Sequence, residues 1–470
     1  MNMSSPFAQN RRSFLGGTTG ALGTMALAQL LGLDSQQVRA DSSNALMKQH
    51  PPKAKSVICL FQHGGPSQMD LFDPKPELTK NDGKPYQGDI EAHFETQKGN
   101  CLASPFKFAP RGQSGIEMCE LLPHMAEIAD EMTLVRSMTT DSVDHESALR
   151  LIHTGKFSLG WPTWGSWVIY GLGSENKNIP AYVVLSDPDG LPVDGAKNWT
   201  SGWLPAIYQG AMFRTGTSPV ANLASPPHVT PVTQARQLEF LKQLNVMYNK
   251  AYPHNSELQA RIDNFETAAR MQTAVPEVLN LASETKATQK MYGIDNPATA
   301  EYGRRCLMAR RLIEHDVRFV QLFLKSQPWD THSRNSESIK GLCAKTDQPS
   351  AALVKDLKQR GLLDSTIVLW TGEFGRLPIS QGKDGRDHNR HAFSLWMAGG
   401  GFKAGYAHGA TDDFGYKSVE KVVTVNDLHA TLLHALNIDH HKLSFPYDGR
   451  PSTLSDADVT GAKVVTDLLA

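Results

Sequence analysis

The residues able to do chemistry lie in short clusters, most of them just past an apolar run. Thr366-Ile-Val-Leu-Trp-Thr-Gly-Glu-Phe-Gly-Arg-Leu-Pro378 delivers a carboxylate, Glu373, and a guanidinium, Arg376, directly after the run Ile367–Trp370. Arg386-Asp387-His388-Asn389 follows shortly afterwards. Trp329-Asp330-Thr331-His332 closes a second apolar run, and Gln62-His63-Gly64-Gly65-Pro66-Ser67 closes a third. Asp144-His145-Glu146-Ser147 instead opens a helical stretch. Histidine and carboxylate together are donors for zinc, manganese, iron, magnesium or calcium, and not for copper(I) or iron–sulfur clusters. The plain alternative for each group alone is structural: a turn at Gly372 and Gly375 with Glu373 paired to Arg376, or a satisfied core histidine. That alternative weakens because the groups recur at the ends of elements.

The elements that must position these groups follow from hydrophobic pattern. Ser56–Phe61, Thr133–Arg136, Ala181–Leu185, Arg318–Leu324, Ile367–Trp370 and Phe393–Met397 read as strands. Their continuous apolar character suits strands covered on both faces. Helices are expected over Glu120–Met132, Asp144–Gly155, Trp164–Tyr170, Ala300–His315, Ala351–Arg360 and Val425–Leu436. Asp144 or Ser142 is the expected N-cap of the second and Gly155 its stop. The helix from Ala300 should expose an arginine-rich face. This alternation predicts an α/β fold, a mostly parallel sheet sandwiched by helices. In such sheets ligands bind at the carboxyl ends of the strands. Residues 73–115 and 187–216 read as loop-rich excursions. Over about 232–290 the helical spacing of Leu238, Leu241, Leu244 and Tyr248, then Leu258, Ile262, Phe265 and Ala269, predicts a helical insertion with core-facing apolar stripes.

The chain has 470 residues, too many for one small core, and residues 41–470 are expected to form one large domain. Its 47 basic and 48 acidic residues give a net charge of −1, which excludes a basic field for nucleic acid. The five cysteines lack any C-x-x-C pair, which argues against thiolate zinc. Cys59 and Cys306 read as core residues; a disulfide between Cys101 and Cys119 is left open by spacing. Residues 1–40 read as a twin-arginine signal, cleaved or, as the alternative, kept as an uncleaved anchor: Arg11-Arg12 followed by Phe14-Leu15, a weakly apolar Gly- and Ala-rich stretch, then Val38-Arg39-Ala40 as a small-residue cleavage site. The expected partner is the twin-arginine export machinery and the expected location is the periplasm or beyond. No stable membrane span is expected in the mature chain.

The order of these motifs resembles the alkaline phosphatase and sulfatase superfamily. His145-Glu-Ser-Ala-Leu-Arg-Leu-Ile-His-Thr-Gly155 is similar to the sulfatase nucleophile helix, and Asp364–Glu373 to the strand leading to Asp-His-Gly. Val425-Asn-Asp-Leu-His-Ala-Thr-Leu-Leu433 is similar to its C-terminal helix. A closer resemblance, covering nearly the whole mature chain, is to an exported, sulfatase-like family called domain of unknown function 1501. It is carried by His63-Gly-Gly-Pro-Ser-Gln-Met-Asp70, Ala309-Arg-Arg-Leu-Ile-Glu-His315, Trp329–His332, Glu373-Phe-Gly-Arg376, Arg386–Asn389 and Ala398-Gly-Gly-Gly401.

The resemblance implies an alkaline phosphatase-like fold and a metal-dependent hydrolase of phosphate or sulfate esters, using Zn, Ca, Mg or Mn. Its substrate would be a small anionic ester or a sulfated glycan. The chain departs from active sulfatases. It lacks Cys-x-Pro-x-Arg, so no formylglycine forms; His145 stands where that cysteine would be, His63 replaces the first-strand acids, and Phe374 replaces the histidine of Asp-His-Gly. The expectation becomes a single metal held by Asp330, His332, Asp387 and His388. His145 is the expected nucleophile or general base, with His63, Ser147 and Ser67 as further candidates. Glu373 is expected to orient a partner, Arg376 and Arg150 to clamp an anion, and Ser67 and Trp203 to touch substrate. The alternative is a catalytically degenerate relative that binds anionic glycans through Trp161, Trp164, Trp199 and Trp203, or serves as an envelope structural protein.

Overall fold

A computed structural model describes residues 53–215, 220, 223, 228–252 and 256–470. The signal expected over 1–40 lies outside the described residues. The apolar runs become strands β1 (Ser56–Phe61), β2 (Met132–Thr139), β3 (Tyr182–Leu185), β4 (Ala211–Phe213), β5 (Phe319–Phe323), β6 (Thr366–Thr371) and β7 (Phe393–Ala398). Two short strands, β8 (Tyr406–His408) and β9 (Val423–Thr424), complete a nine-stranded sheet among the described residues. Its order is β8-β2-β7-β6-β1-β5-β3-β4, with β9 also beside β2. β1 lies parallel between β5 and β6, while β7 runs antiparallel to both of its neighbours. The sheet is therefore mostly parallel.

Seven helices matter here: α1 (His145–Thr154), α2 (Trp164–Leu172), α3 (Pro231–Ala251), α4 (Ser256–Val278), α5 (Ala300–Glu314), α6 (Asn335–Gln359) and α7 (Val425–Ala435). Alternation along β1 divides the core. Val57, Cys59 and Phe61 face Leu149, Trp164, Val168 and Leu428 from α1, α2 and α7. Ile58 and Leu60 face the other way, into the cluster with Cys306, Leu312, Leu353 and Leu357 of α5 and α6. Each fully buried Val, Ile, Leu or Phe here contributes about 1.5–3 kcal/mol relative to exposure.

Four expectations change. The helix expected over Glu120–Met132 is a 3-10 turn, Met125–Glu131. Pro123 precedes it, and the Asp347 carboxylate accepts the amides of His124 and Met125 at 2.9 and 2.8 Å. The helix expected from Ala351 is only the end of α6, which begins at Asn335 and passes through Pro349. The arginine-rich face of α5 is not exposed: Arg305 and Arg310 are buried, paired with Asp187 at 3.0 Å and with Asp356 and Glu284 at 2.8 Å. Buried guanidinium groups are stable only when so partnered. The stripes of α3 and α4 are not core-facing along their length. Phe265 is 74 % exposed and Tyr248 54 %, while Met271, Val275 and Val278 at the end of α4 reach the core. Helical spacing shows which residues share a face, not whether a partner covers it. All five cysteines are buried and free. No helix among the described residues is long and apolar enough to cross a membrane.

Candidate metal centre

The sheet brings the chemical groups to one edge. His63 lies two residues past β1, Asp330 and His332 follow β5, and Glu373 lies two residues past β6. Asp387 and His388 are placed by a short antiparallel pairing, Gly375 with Asn389 and Arg376 with His388. His145 is the first residue of α1, whose N-cap, Asp144, accepts the amide of Ser147 at 3.1 Å. Gly64 (φ +109°) lets the chain turn between them; a Cβ there would run into the backbone of Gln327 and Asp330.

Three imidazoles converge on one carboxylate oxygen. Asp330 Oδ1 lies 2.9 Å from His332 Nε2, 3.2 Å from His388 Nε2 and 3.3 Å from His145 Nε2. Arg376 Nη2 also donates to it at 2.7 Å. The other ring nitrogen of each histidine faces a fixed acceptor: Glu373 Oε1 for His145 at 2.7 Å, the Val143 carbonyl for His388 at 2.5 Å, and Gln381 Oε1 for His332. Read from this network, each Nδ1 carries a proton. The Nε2 atoms then turn toward Asp330. Burial keeps His388 neutral, its pKa pulled down to about 4 against the opposing attraction of Asp330. Neutral His388 has one ring proton, and Val143 claims it. Its Nε2 and Asp330 Oδ1 are thus two acceptors in contact, an arrangement that calls for a cation between them. For His145, burial opposes charging, but the neighbouring Asp330 and Glu373 carboxylates outweigh it and raise the pKa to about 9. His145 Nε2 nevertheless lacks hydrogen-bond geometry toward any partner. Asp330 is held far below the usual carboxylate range: burial opposes this, and the three histidines and Arg376 overcome it. His145, Asp330 and His388 form one set of donor atoms within 4.8 Å of one another; His332, Asp387 and His388 form a second. Orienting acceptors behind each histidine are what metal-binding imidazoles require.

The sequence profile of the family described as "Protein of unknown function (DUF1501)" matches residues 54–469. The chain belongs to this family. No curated protein sequence matches it. Among solved structures, the DUF1501 chain is similar to a protein in the alkaline phosphatase superfamily from Vibrio parahaemolyticus, at 10% identity over 88% of this chain and 75% of that one, with a TM-score of 0.36. It is similar to the PsFucS1 sulfatase from Pseudoalteromonas sp., at 10% identity over 85% and 72%, TM-score 0.34. A third is the lipoteichoic acid synthase LtaP from Listeria monocytogenes, at 9% identity over 85% and 78%, TM-score 0.35.

The DUF1501 site gathers some of the expected residues and excludes others. Asp330, His332 and His388 meet, and His145 lies among them, its Nε2 3.3 Å from Asp330 Oδ1. Asp387 lies at the edge, its carboxylate accepting the amides of Phe94 and His388 at 2.7 and 2.8 Å. Glu373 orients His145 and accepts the Gly64 amide at 2.8 Å, leaving Oε2 buried and unpartnered. His63 is fully buried with neither ring nitrogen bonded, and burial lowers its pKa to about 4. Arg376 cannot clamp an anion. It is fully buried, and its three nitrogens already donate to Gly65, Arg386, Gly64, Trp329 and Asp330. Ser147 Oγ is held by Asp144 at 2.7 Å and Ser67 Oγ by Asp70 at 2.6 Å, so neither hydroxyl is free. Asp70 in turn pairs with Arg386. Arg150 donates to the Phe157 carbonyl and faces Asp194 at 3.7 Å. Trp203 is stacked on Tyr447 and Phe445 and flanked edge-on by Trp161 and Trp167, so it packs within an aromatic cluster. The sequence reading missed Gln381, which holds His332, and His93 and Phe94, which lie against His388 and His332 at ring distances of 5.2 and 5.3 Å. His93 and Phe94 belong to a loop-rich excursion, residues 73–115, in which no periodicity marks them.

Proposed function

We propose that this chain is an exported, metal-dependent hydrolase of phosphate or sulfate esters, its centre held by His145, Asp330, His332 and His388. The observation that carries the reading is the convergence of three histidine Nε2 atoms on one oxygen of the Asp330 carboxylate. Three imidazoles and one carboxylate suit zinc or manganese; calcium and magnesium prefer oxygen donors throughout. A bound ion would supply Lewis acidity toward an ester oxygen. The protein's own groups do the rest. Glu373, Val143 and Gln381 keep protons on the Nδ1 atoms and so keep the Nε2 atoms available. With Ser67 and Ser147 committed to Asp70 and Asp144, the attacking oxygen comes from water, and the ester oxygen leaves with the alcohol. Trp164 and Trp199 are buried and Trp203 is stacked in its own cluster, which takes these three tryptophans away from the binding-only alternative.

The test is metal analysis of the full chain purified from an exporting host, with turnover of 4-nitrophenyl phosphate and 4-nitrophenyl sulfate. One equivalent of zinc or manganese is expected, lost in the His332→Ala/His388→Ala double variant together with turnover. A metal content unchanged by that double variant sinks the assignment.

A further inference from the structure

Residues 91–97 lie across the rim of the centre and are tied to it at several points. Glu91 binds Arg390 at 2.9 Å and His391 at 2.9 Å, just past His388. Ala92 packs with Leu377, Ile379 and Tyr416. The Phe94 amide donates to Asp387 at 2.7 Å. Gln97 Oε1 accepts from Gln381 at 2.8 Å, the same amide that holds His332. The strap's position relative to the donors is thus fixed by the residues that orient them.

Its two aromatic rings have no comparable anchor. His93 is exposed, its ring near parallel to His388 at 21°. Phe94 is 39 % exposed and meets His332 edge-on at 87°. His332 is the most open histidine of the centre, its side chain 27 % exposed against 9 % for His145 and 4 % for His388. Phe94 thus stands beside the most open of the three histidines. A large apolar ring held open at that point by a fixed backbone offers a flat surface to whatever enters.

We propose that Phe94, with His93 beside it, is the specificity wall of the site and recognises a ring on the alcohol side of the ester, by contact of ring faces. This rests on the hydrolase reading for the term "ester", but not for the ring contact. The shared chemistry is a six-membered ring with an apolar face, aromatic or saturated.

The experiment measures calorimetric binding of methyl-, phenyl- and cyclohexylphosphonate, and of the matching sulfonates, to the metal-loaded full chain. The wild type is expected to bind a ring-bearing probe about tenfold more tightly than the methyl probe. Phe94→Ala should bring that ratio close to one while methyl binding and metal content stay as they were. Preference for phenyl identifies aryl esters; preference for cyclohexyl identifies saturated rings such as those of sugars. Equal binding of ring and methyl probes by the wild type, a ratio retained in Phe94→Ala, or no binding of any probe overturns the proposal. Turnover of 4-nitrophenyl esters is scored separately: turnover without ring preference removes the wall alone, and ring preference without turnover removes the hydrolase reading alone.

Discussion

Asp330 shows how far a residue's role depends on what surrounds it. In the sequence it is one acid beside one histidine. In the structure one of its oxygens faces three imidazoles and a guanidinium. Glu373 stands behind this arrangement, since its Oε1 fixes the proton on His145 Nδ1. Glu373→Gln removes that charge and lets the amide present either end to His145. Metal affinity is expected to fall about 10–100-fold, as for other groups that orient metal-binding histidines; competition with a chromogenic chelator measures it. Unchanged affinity would show that His145 is not a ligand. The sequence made Glu373 an orienting group legible, because it placed a carboxylate just past a buried strand. It misled at Arg376, where proximity to Glu373 suggested an anion clamp. Five acceptors from segments distant in sequence close around that guanidinium, and no local pattern shows them. Phe374 packs against the histidines, its ring 4.7 Å from that of His145 and 4.5 Å from that of His388.

Helix α1 links the centre to the core at the scale of elements. His145 opens it and His153 lies in its last turn, where Gly155 (φ +72°) ends it. His429 of α7 bonds the Ile152 carbonyl at 2.9 Å and so clamps α7 to α1. His153 and His429 are both fully buried, and burial lowers their pKa values to about 3 and about 4. The sign follows directly. Near neutral pH both are uncharged in the folded and unfolded chain. Below the unfolded value of 6.5 the unfolded chain takes up protons that the folded chain refuses, so stability falls with falling pH down to about 4. At pH 5 each contributes a loss of about 2 kcal/mol relative to pH 7. Urea unfolding at the two pH values should show this loss shrinking by about 4 kcal/mol in His153→Leu/His429→Leu; the same loss in that variant refutes the assignment. The boundaries of α1 were readable, since Asp144 and Gly155 are local signals. The length of α6 was not: its first half is polar and Pro349 follows just past its midpoint, and packing against α5 rather than intrinsic preference holds it helical.

For the whole molecule, the twin arginines make one prediction that the folded domain does not. Arg11→Lys/Arg12→Lys should retain the chain in the cytoplasm, and cell fractionation by immunoblot reads this; unimpaired export of the variant rules out the twin-arginine route. Sequence alone determined the α/β class, the places of the main strands along the chain and the strand ends at which the chemical groups gather. It could do so because buried parallel strands need continuous apolar runs, and chain direction sets which end carries the ligands. Only the tertiary structure decided which of those groups meet. It put His145 among the donors, took Arg376, Ser67, Ser147 and Trp203 out of the site, buried Arg305 and Arg310, and left much of α3 and α4 uncovered. It also laid His93 and Phe94 over the centre. The physical reason is common to all of these. A side chain's partners in a large sheet come from segments hundreds of residues away, as His145 and Glu373 do, and periodicity carries information only along one element.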